Sequence, residues 1–235
     1  MVTISTQFNG PDRTGNGGYV AGLLAAEHGT DGPVTSMLRI PPPLGVPLVW
    51  ESHDEETHLL TTGGAVVGGA RDGEFLRDAP ACPTPEQAAA GRAAYPGFHH
   101  HPFARCFTCG TDREEGDGLR LFTGPYGEGV TASPWAPHQA FAREDGAIDT
   151  PTMWAALDCP GGWAADFTTN TIVLGKMTAR VHRRPRVGEA CISVGRLDEH
   201  TGRKFLTDTA LYTADGELLG HAEQVWVAID LAAFS

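Results

Sequence analysis

The chain has 235 residues, of which 41% are hydrophobic, and its formal net charge at pH 7 is −12. This length and apolar content suffice for one large domain or two small ones with a sizeable core. The negative charge argues against a nucleic-acid-binding protein, because phosphate binding needs a positive surface. We therefore expect a globular protein in which any anionic ligand must meet a local basic patch.

Three sequence features bear on the compartment. No apolar run approaches the roughly 20 residues that a membrane span needs. The opening stretch MVTISTQFNG lacks the charged start and apolar centre of a secretory signal. The five cysteines are odd in number and sparsely placed, which is typical of reduced thiols rather than of a disulfide framework. These features predict a cytoplasmic protein without a membrane partner.

The first half of the chain predicts one helix followed by strands. Asn16 can cap a helix that ends at Gly29, and the segment between them carries an apolar stripe. Residues 33–52 contain two strand-like runs separated by prolines, and residues 58–73 indicate one further strand or a hairpin. The alanine-rich residues 84–97 are interpreted as a connecting helix.

The second half repeats this order. Strand candidates at residues 117–124 and 129–135 precede a helix at residues 151–164, and four longer strand candidates follow within residues 171–229. Pro160 lacks an N–H and would clash with the preceding turn, so the helix is expected to kink or stop there. Both halves therefore have short strands, one helix and several antiparallel strands, which predicts an α+β fold.

A lone helix wrapped by one antiparallel sheet leaves a sheet edge and helix ends to be covered. Two such units in one chain are therefore expected to pair as a covalent pseudo-dimer. The predicted division is an N-terminal repeat in residues 1–82, a linker in residues 83–104 and a C-terminal repeat in residues 105–235. This pseudo-dimer can in turn associate with copies of itself.

The order of three motifs resembles the hotdog-fold acyl-CoA thioesterases, in the double-hotdog arrangement in which two repeats share one chain. NGGYVAGLLAA is similar to the family's His-Gly-Gly helix start, with Asn16 in place of the histidine. ALDCPGGWAA is similar to the helix segment that carries the family's catalytic carboxylate, and residues 183–226 are similar to its terminal sheet. The resemblance covers nearly the whole chain and implies a double-hotdog fold.

The resemblance also implies a site. In the family, backbone N–H groups at a helix start polarise the thioester carbonyl, and an acid acts as nucleophile or as general base on water. Carried onto this sequence, it assigns catalytic roles to Asn16, Gly17, Gly18 and Asp158. The alternatives are that Asn16 and the glycines are a plain helix cap, and that Asp158 bonds the backbone beside Pro160.

Each repeat keeps half of this pattern. Ala25 and Ala26 stand where the first helix should carry the acid, and DTPTMW stands where the second helix should carry the glycine pair. The resemblance therefore implies one composite site between the repeats rather than two sites.

Two groups of residues are candidates for binding the substrate. The basic segment at residues 176–186 is suited to the phosphates of coenzyme A or of an acyl carrier protein, although a solvated strand face is the alternative. Aromatic side chains near the acid are expected to face the acyl chain. The predicted binding residues are Trp154, Trp163, Arg180, Arg183 and Arg184.

A Cys-x2-Cys in the linker region is half of a structural zinc site. Its candidate ligands are His101, Cys106 and Cys109. The fourth ligand would have to come from a neighbouring histidine or from the distant Cys82. An ordinary linker without metal is the alternative, and we expect no cofactor.

The leading functional prediction is hydrolysis of a thioester of coenzyme A or of a carrier protein. A dehydratase or hydratase would need a histidine paired with an acid, for which His138, His182 and His221 are candidates. A non-catalytic acyl-binding protein is the third alternative, because one of the two acids is missing.

Overall fold

The computed structural model describes residues 1–230. Within this range the α-helices are α1 (Gly17–His28), α2 (Pro85–Ala93) and α3 (Thr150–Ala164). The strands are β1 (Val2–Thr3), β2 (Val34–Leu38), β3 (Pro47–His53), β4 (Glu56–Thr61), β5 (Val66–Asp72), β6 (Gly124–Gly127), β7 (Val130–Trp135), β8 (Ile172–Val181), β9 (Cys191–Thr201), β10 (Lys204–Thr213) and β11 (Leu218–Ala228).

The strands form one antiparallel sheet in the order β1-β3-β4-β5-β2-β8-β11-β10-β9-β7-β6. Strands β1 to β5 come from the first half of the chain, and strands β6 to β11 come from the second. Helix α1 packs on β2, β4 and β5, helix α3 packs on β7 and on β9 to β11, and the two helices contact each other. The chain thus has a large antiparallel sheet with few helices, and each half contributes one long helix to their contact.

The two halves of the sheet meet where β2 pairs with β8. The register places Thr35 opposite Thr178, and the two hydroxyl oxygens are 2.8 Å apart. This seam is short because β2 has 5 residues, whereas β10 and β11 have 10 and 11. The seam and the contact between α1 and α3 join the two halves, together with contacts such as the ion pair of Arg77 with Asp208 at 2.8 Å.

Helix α1 begins and ends where the sequence predicts. Oδ1 of Asn16 accepts a hydrogen bond from the N–H of Tyr19 at 2.8 Å, and Gly29 ends the helix in the left-handed conformation with φ of 76°. Gly18 and Gly22 lie about one turn apart on the side of α1 that faces α3. A Cβ atom at either position would collide with α3, so these two glycines allow the close approach of the helices.

The sequence predicts that the helix kinks or stops at Pro160. In the structure α3 does not stop there and continues to Ala164. Thr209 Oγ1 and Gln224 Nε2 both donate hydrogen bonds to the carbonyl oxygen of Leu157 at 2.7 Å. Thr131 Oγ1 donates to the carbonyl oxygen of Pro160 at 3.1 Å. Pro160 removes the helical donor to the carbonyl of Ala156, and the donors from the sheet bond to the neighbouring carbonyls of the same turn.

Most predicted elements are confirmed, and one is wrong. Residues 58–73 form the hairpin of β4 and β5, and the four long strands at the end of the chain are present. Residues 117–124 form no strand before Gly124. The N–H groups of Leu119 and Leu121 bond instead to the carbonyls of residues 107 and 108, which form a loop.

The predicted repeat boundaries stay a prediction, and residues 231–235 of the C-terminal repeat lie outside the described residues. Among residues 1–230, no helix has the length and apolar character required to cross a membrane.

Candidate active site

Asp158 lies in α3, and its side chain is buried at the contact with α1. Oδ2 accepts a hydrogen bond from the backbone N–H of Gly18 at 3.0 Å and another from Nδ2 of Asn16 at 3.1 Å. Oδ1 has no hydrogen-bond partner among the described residues. The start of α1 therefore anchors one carboxyl oxygen and leaves the other unpaired.

The surroundings of Asp158 favour its neutral form. Burial raises the pKa of the carboxyl group from 3.8 to about 8, and the nearby Cys106 sulfur acts in the same direction. The hydrogen bonds from Gly18 and Asn16 act against this increase, because they stabilise the carboxylate. Burial is thus the dominant influence on this acid.

Asn16 connects three parts of the site through one side chain. Its Oδ1 caps α1, and its Nδ2 donates both to Asp158 and, at 3.7 Å, to the sulfur of Cys106. An amide can do this because it carries an acceptor and two donor hydrogens. Asn16 can therefore cap the helix and hold Asp158 at the same time.

Gly17 and Gly18 differ in whether their backbone N–H groups are already hydrogen-bonded within the described residues. The N–H of Gly18 is bonded to Asp158, whereas the N–H of Gly17 has no acceptor among the described residues. A Cβ atom at Gly17 would lie 2.8 Å from the Cβ of Leu174. The sequence-based expectation of two donors for a substrate carbonyl is thus reduced to one, since Asp158 occupies the other.

A cavity of about 280 Å³ adjoins these groups. Asn16, Gly17 and Asp158 are part of its wall. Apolar side chains form much of the remainder, namely Leu38, Phe103, Phe167, Ile172, Leu174 and Trp226. The unpaired oxygen and the unpaired N–H therefore belong to residues that line one largely apolar cavity.

Three cysteines line the same cavity. Cys106, Cys109 and Cys159 are buried, and their sulfur atoms all lie within 4.8 Å of one another. Hydrogen bonds from the other two thiols lower the pKa of Cys106, whereas burial raises the pKa of Cys109 and of Cys159. The sequence singled out the first two cysteines, and the structure adds the third.

The structure does not place His101 as a metal ligand, which was its predicted role. Its Nδ1 accepts a hydrogen bond from the N–H of Phe103 at 3.0 Å, so its Nε2 carries the proton and donates to the carbonyl oxygen of Cys109 at 3.0 Å. Both ring nitrogens are therefore used within the loop. Cys82, the distant candidate, packs near Val194 and Ala210, outside the cysteine group.

The two predicted tryptophans are buried, but neither lines the cavity. Trp154 packs against Gly22 at the contact between α1 and α3. The ring of Trp163 meets those of Tyr95 and Phe167, with centroid distances of 4.6 and 5.2 Å. Both tryptophans support the walls of the site, and Phe167 is the aromatic neighbour that faces the cavity itself.

The predicted arginines lie apart from Asp158. Arg180, Arg183 and Arg184 line a separate surface depression that shares no lining residue with the cavity. Arg183 forms ion pairs with Glu189 at 2.7 Å and with Glu217 at 3.0 Å, and Arg184 also has an acidic partner. Two of the three are therefore already neutralised by the protein's own carboxylates.

Arg39 is the cationic residue of the cavity wall that the sequence analysis missed. It is exposed, and its guanidinium has no hydrogen bond or ion pair among the described residues. The signal available in the sequence was its position directly after a strand and before the Pro41-Pro42-Pro43 run.

No histidine of the described residues lines the cavity. His138 accepts a hydrogen bond from the N–H of Ala140 at the start of a short 3-10 helix. His182 and His221 stack on each other with a centroid distance of 5.7 Å. The three candidates for a histidine and acid pair are therefore not among the residues beside Asp158.

Neither a protein-family model nor a curated protein matches the sequence. Among solved structures, the chain is similar to a putative thioesterase from Novosphingobium aromaticivorans, with a TM-score of 0.57 and 14% identity over 97% of this chain and 94% of that one. It is also similar to the TesB protein of Mycobacterium avium subsp. paratuberculosis, with a TM-score of 0.58 and 13% identity over 94% of this chain and 89% of that one. The chain thus has the fold of the hotdog thioesterases that its sequence resembles.

Proposed function

We propose that the protein hydrolyses an acyl thioester of coenzyme A or of a carrier protein, at one composite site between two hotdog repeats. The observation that carries this proposal is the position of Asp158. This acid of α3 is held on Oδ2 by Gly18 and Asn16 of the other half, and it lines an apolar cavity with its second oxygen unpaired. An acid in such a setting matches the chemistry of acyl transfer to water.

The proposed reaction uses the two unpaired groups on the wall. The acyl chain occupies the apolar part of the cavity, and the thioester carbonyl oxygen accepts a hydrogen bond from the N–H of Gly17. The first turn of a helix carries a partial positive charge, which stabilises the negative oxygen of a tetrahedral intermediate. Because Gly17 has no side chain, Leu174 packs directly against this turn, and both residues are part of the cavity wall.

Asp158 then activates the nucleophile. In its ionised form, which becomes the major one above a pH of about 8, its Oδ1 accepts a proton from water while the water oxygen bonds to the thioester carbon. Collapse of the tetrahedral intermediate breaks the C–S bond, the proton returns to the departing sulfur, and an acid and a free thiol result. Direct attack of the carboxylate on the same carbon, followed by hydrolysis of the anhydride, uses the same residues.

The surroundings support hydrolysis over hydration or dehydration of an acyl chain. Those reactions need a second proton-transfer group near the acyl carbons, and none of the described cavity residues is a histidine.

The test measures loss of the thioester bond directly, for a series of acyl-CoA substrates of increasing chain length. Direct detection is preferable to a thiol reagent, because the protein has five cysteines of its own. Hydrolysis that depends on Asp158 supports the proposal. Binding of acyl-CoA without turnover would identify an acyl-binding protein, and turnover of an enoyl-CoA without loss of its thioester would identify a hydratase.

A further inference from the structure

The three buried cysteines beside the cavity come from two distant parts of the chain. Cys106 and Cys109 lie in the long connection between α2 and β6, and Cys159 lies in α3. All five cysteines of the protein are free thiols, and the other two lie elsewhere. The function proposed above assigns no task to this group.

The spacing of the sulfur atoms fits a shared cation. Sγ of Cys106 and Sγ of Cys159 are 3.7 Å apart, and all three sulfurs lie within 4.8 Å of one another. Zinc binds thiolate sulfur at about 2.3 Å in a tetrahedral arrangement, which places two sulfur ligands about 3.8 Å apart. A disulfide would join two of these sulfurs and leave the third without a role.

The loop between Cys106 and Cys109 has the form of a tight chelating turn. The N–H of Gly110 donates to the carbonyl oxygen of Cys106 at 2.9 Å. A Cβ atom at Gly110 would lie 2.5 Å from that oxygen and 2.6 Å from the carbonyl oxygen of Ala104, so only glycine fits. The turn brings the two sulfurs to the same side of the loop.

Other contacts fix this turn against α3. The carbonyl oxygen of Cys109 accepts hydrogen bonds from the hydroxyl of Tyr95 at 2.8 Å and from Nε2 of His101 at 3.0 Å. Oγ1 of Thr108 donates to the carbonyl oxygen of Ala155 in α3 at 3.1 Å. The ligand positions are thus set by the surrounding structure, as binding of an ion at low cost in free energy requires.

We propose that Cys106, Cys109 and Cys159 bind a zinc ion through their three sulfur atoms. The ligand set differs from the one that the sequence indicated, because Cys159 takes the place of His101. Soft thiolate ligands select Zn²⁺ over Mg²⁺ or Ca²⁺. In the described part of the chain, the possible ligand atoms that lie within 4.8 Å of one another here are these three sulfurs, so the fourth ligand is a water molecule or a group that enters from the cavity.

The first experiment measures metal binding by the intact, reduced protein. Zinc is quantified in protein purified without chelator, and the chelated protein is then titrated with Co²⁺, which gives a strong absorption when thiolates bind it. We expect one Co²⁺ per chain, its displacement by Zn²⁺, and a higher melting temperature with Zn²⁺.

Serine substitutions identify the ligands. Each of Cys106→Ser, Cys109→Ser and Cys159→Ser should weaken Co²⁺ binding by more than the roughly 10- to 100-fold that loss of an outer partner costs. Cys82→Ser and Cys191→Ser are matched controls that should leave the Co²⁺ spectrum unchanged. None of these measurements uses thioester turnover, so they can fail independently of the proposed hydrolysis.

Three results would overturn the proposal. One is the absence of a Co²⁺ absorption band in wild-type protein whose five thiols are all counted as reduced, which requires no variant to fold. Another is an unchanged Co²⁺ affinity in the three substituted proteins. The third is a disulfide between Cys106 and Cys159 in protein kept under reducing conditions, since that bond removes two of the three ligands.

Discussion

The side-chain amide of Asn16 donates a hydrogen bond of 3.1 Å to the carboxyl group of Asp158, although 142 positions separate the two residues in the sequence. The amide belongs to the cap of α1 and the acid to α3. This hydrogen bond therefore forms only when the two halves of the chain are packed against each other. It also affects the stability that we expect of proteins with a substituted Asp158.

We expect Asp158→Asn to remove activity while keeping the fold. The amide oxygen of the new side chain can accept the hydrogen bonds from Gly18 and Asn16, so the melting temperature should stay the same or rise, because no carboxyl group is buried. The amide cannot act as base or nucleophile, so kcat should fall by about 10²-fold or more. Steady-state hydrolysis and thermal unfolding are measured on the same preparation.

Asp166→Asn is the matched control, because Asp166 is exposed and does not line the cavity. It should keep wild-type kcat. A protein with Asp158→Asn that unfolds several degrees earlier yet hydrolyses acyl-CoA normally would make Asp158 a structural residue.

The two glycines at the start of α1 should respond differently to alanine. At Gly17 the added methyl group meets Leu174, and at Gly18 it meets the side chain of Asp158 and, at 2.8 Å, the backbone oxygen of Trp154. Each substitution should destabilise the protein by roughly 1–3 kcal/mol, as overpacking does. Leu174→Ala should restore stability to the Gly17→Ala protein but not to the Gly18→Ala protein, which urea unfolding of the single and double variants measures.

This prediction is contradicted if Leu174→Ala changes the stability of the Gly17→Ala protein and of the Gly18→Ala protein by the same amount. In that case the close contacts at the helix start relax by movement of α1 as a whole rather than by yielding of one side chain.

Arg39→Ala should raise the KM for an acyl-CoA. Arg39 is part of the cavity wall, and its guanidinium has no partner among residues 1–230. A charged hydrogen bond to phosphate contributes about 1.5–3 kcal/mol, which corresponds to roughly tenfold or more in KM. An N-acetylcysteamine thioester lacks the phosphates, so its KM should change little. Comparison of the two substrates is the measurement.

Arg183→Ala provides the contrast, since Arg183 is paired with Glu189 and Glu217. We expect its KM for acyl-CoA to stay near the wild-type value. A large increase with Arg183→Ala and none with Arg39→Ala would restore the original assignment of the phosphate site to the basic segment.

His221 should make the protein less stable in acid. Burial lowers its pKa from 6.5 to about 4, and His182 and Arg180 add to this effect, while Asp208 and Asp78 oppose it. Between these two pH values the unfolded chain binds a proton that the folded chain does not, so stability falls as pH decreases from 6.5 towards 4. His221→Phe keeps the stacking against Phe75 and removes the titration.

The measurement is the melting temperature of both proteins from pH 7 to pH 4. The decrease should be smaller with His221→Phe, and His100→Gln, at an exposed position, should follow the wild type. Parallel curves for wild type and His221→Phe would show that His221 is not responsible.

Much of the fold was predictable because local signals decide it. The cap at Asn16, the glycine at position 29 and the alternating residues of β8 each specify one element without reference to the rest of the chain. Residues 117–124 contain the buried Leu119, Leu121 and Phe122, but the N–H groups of Leu119 and Leu121 bond to a loop rather than to a strand. A short run with several apolar residues indicates that side chains are buried, and it does not show which backbone groups the run bonds to.

The sequence indicated the acid and its neighbours in α1, but the tryptophans and arginines that it predicted for substrate binding do not line the cavity. Resemblance to a family pointed to Asn16, Gly17, Gly18 and Asp158. It did not show that the N–H of Gly18 bonds to the acid, because that bond depends on how closely the two helices approach. The Cys-x2-Cys pattern does not show which distant cysteine folds next to it, so the sequence analysis considered Cys82 and missed Cys159. Arginines were ranked by their density along the chain, whereas their pairing with acids depends on strands that meet only after folding.

The short seam between β2 and β8 has a consequence for how activity is acquired. Each half can form its own helix and hairpins from contacts that are close in sequence, and such contacts form early in folding. The hydrogen bonds to Asp158 form only when the halves have docked. Recovery of hydrolysis after dilution from denaturant should therefore be slower than recovery of the circular-dichroism signal of the helices. The difference between the two rates measures how fast the halves dock.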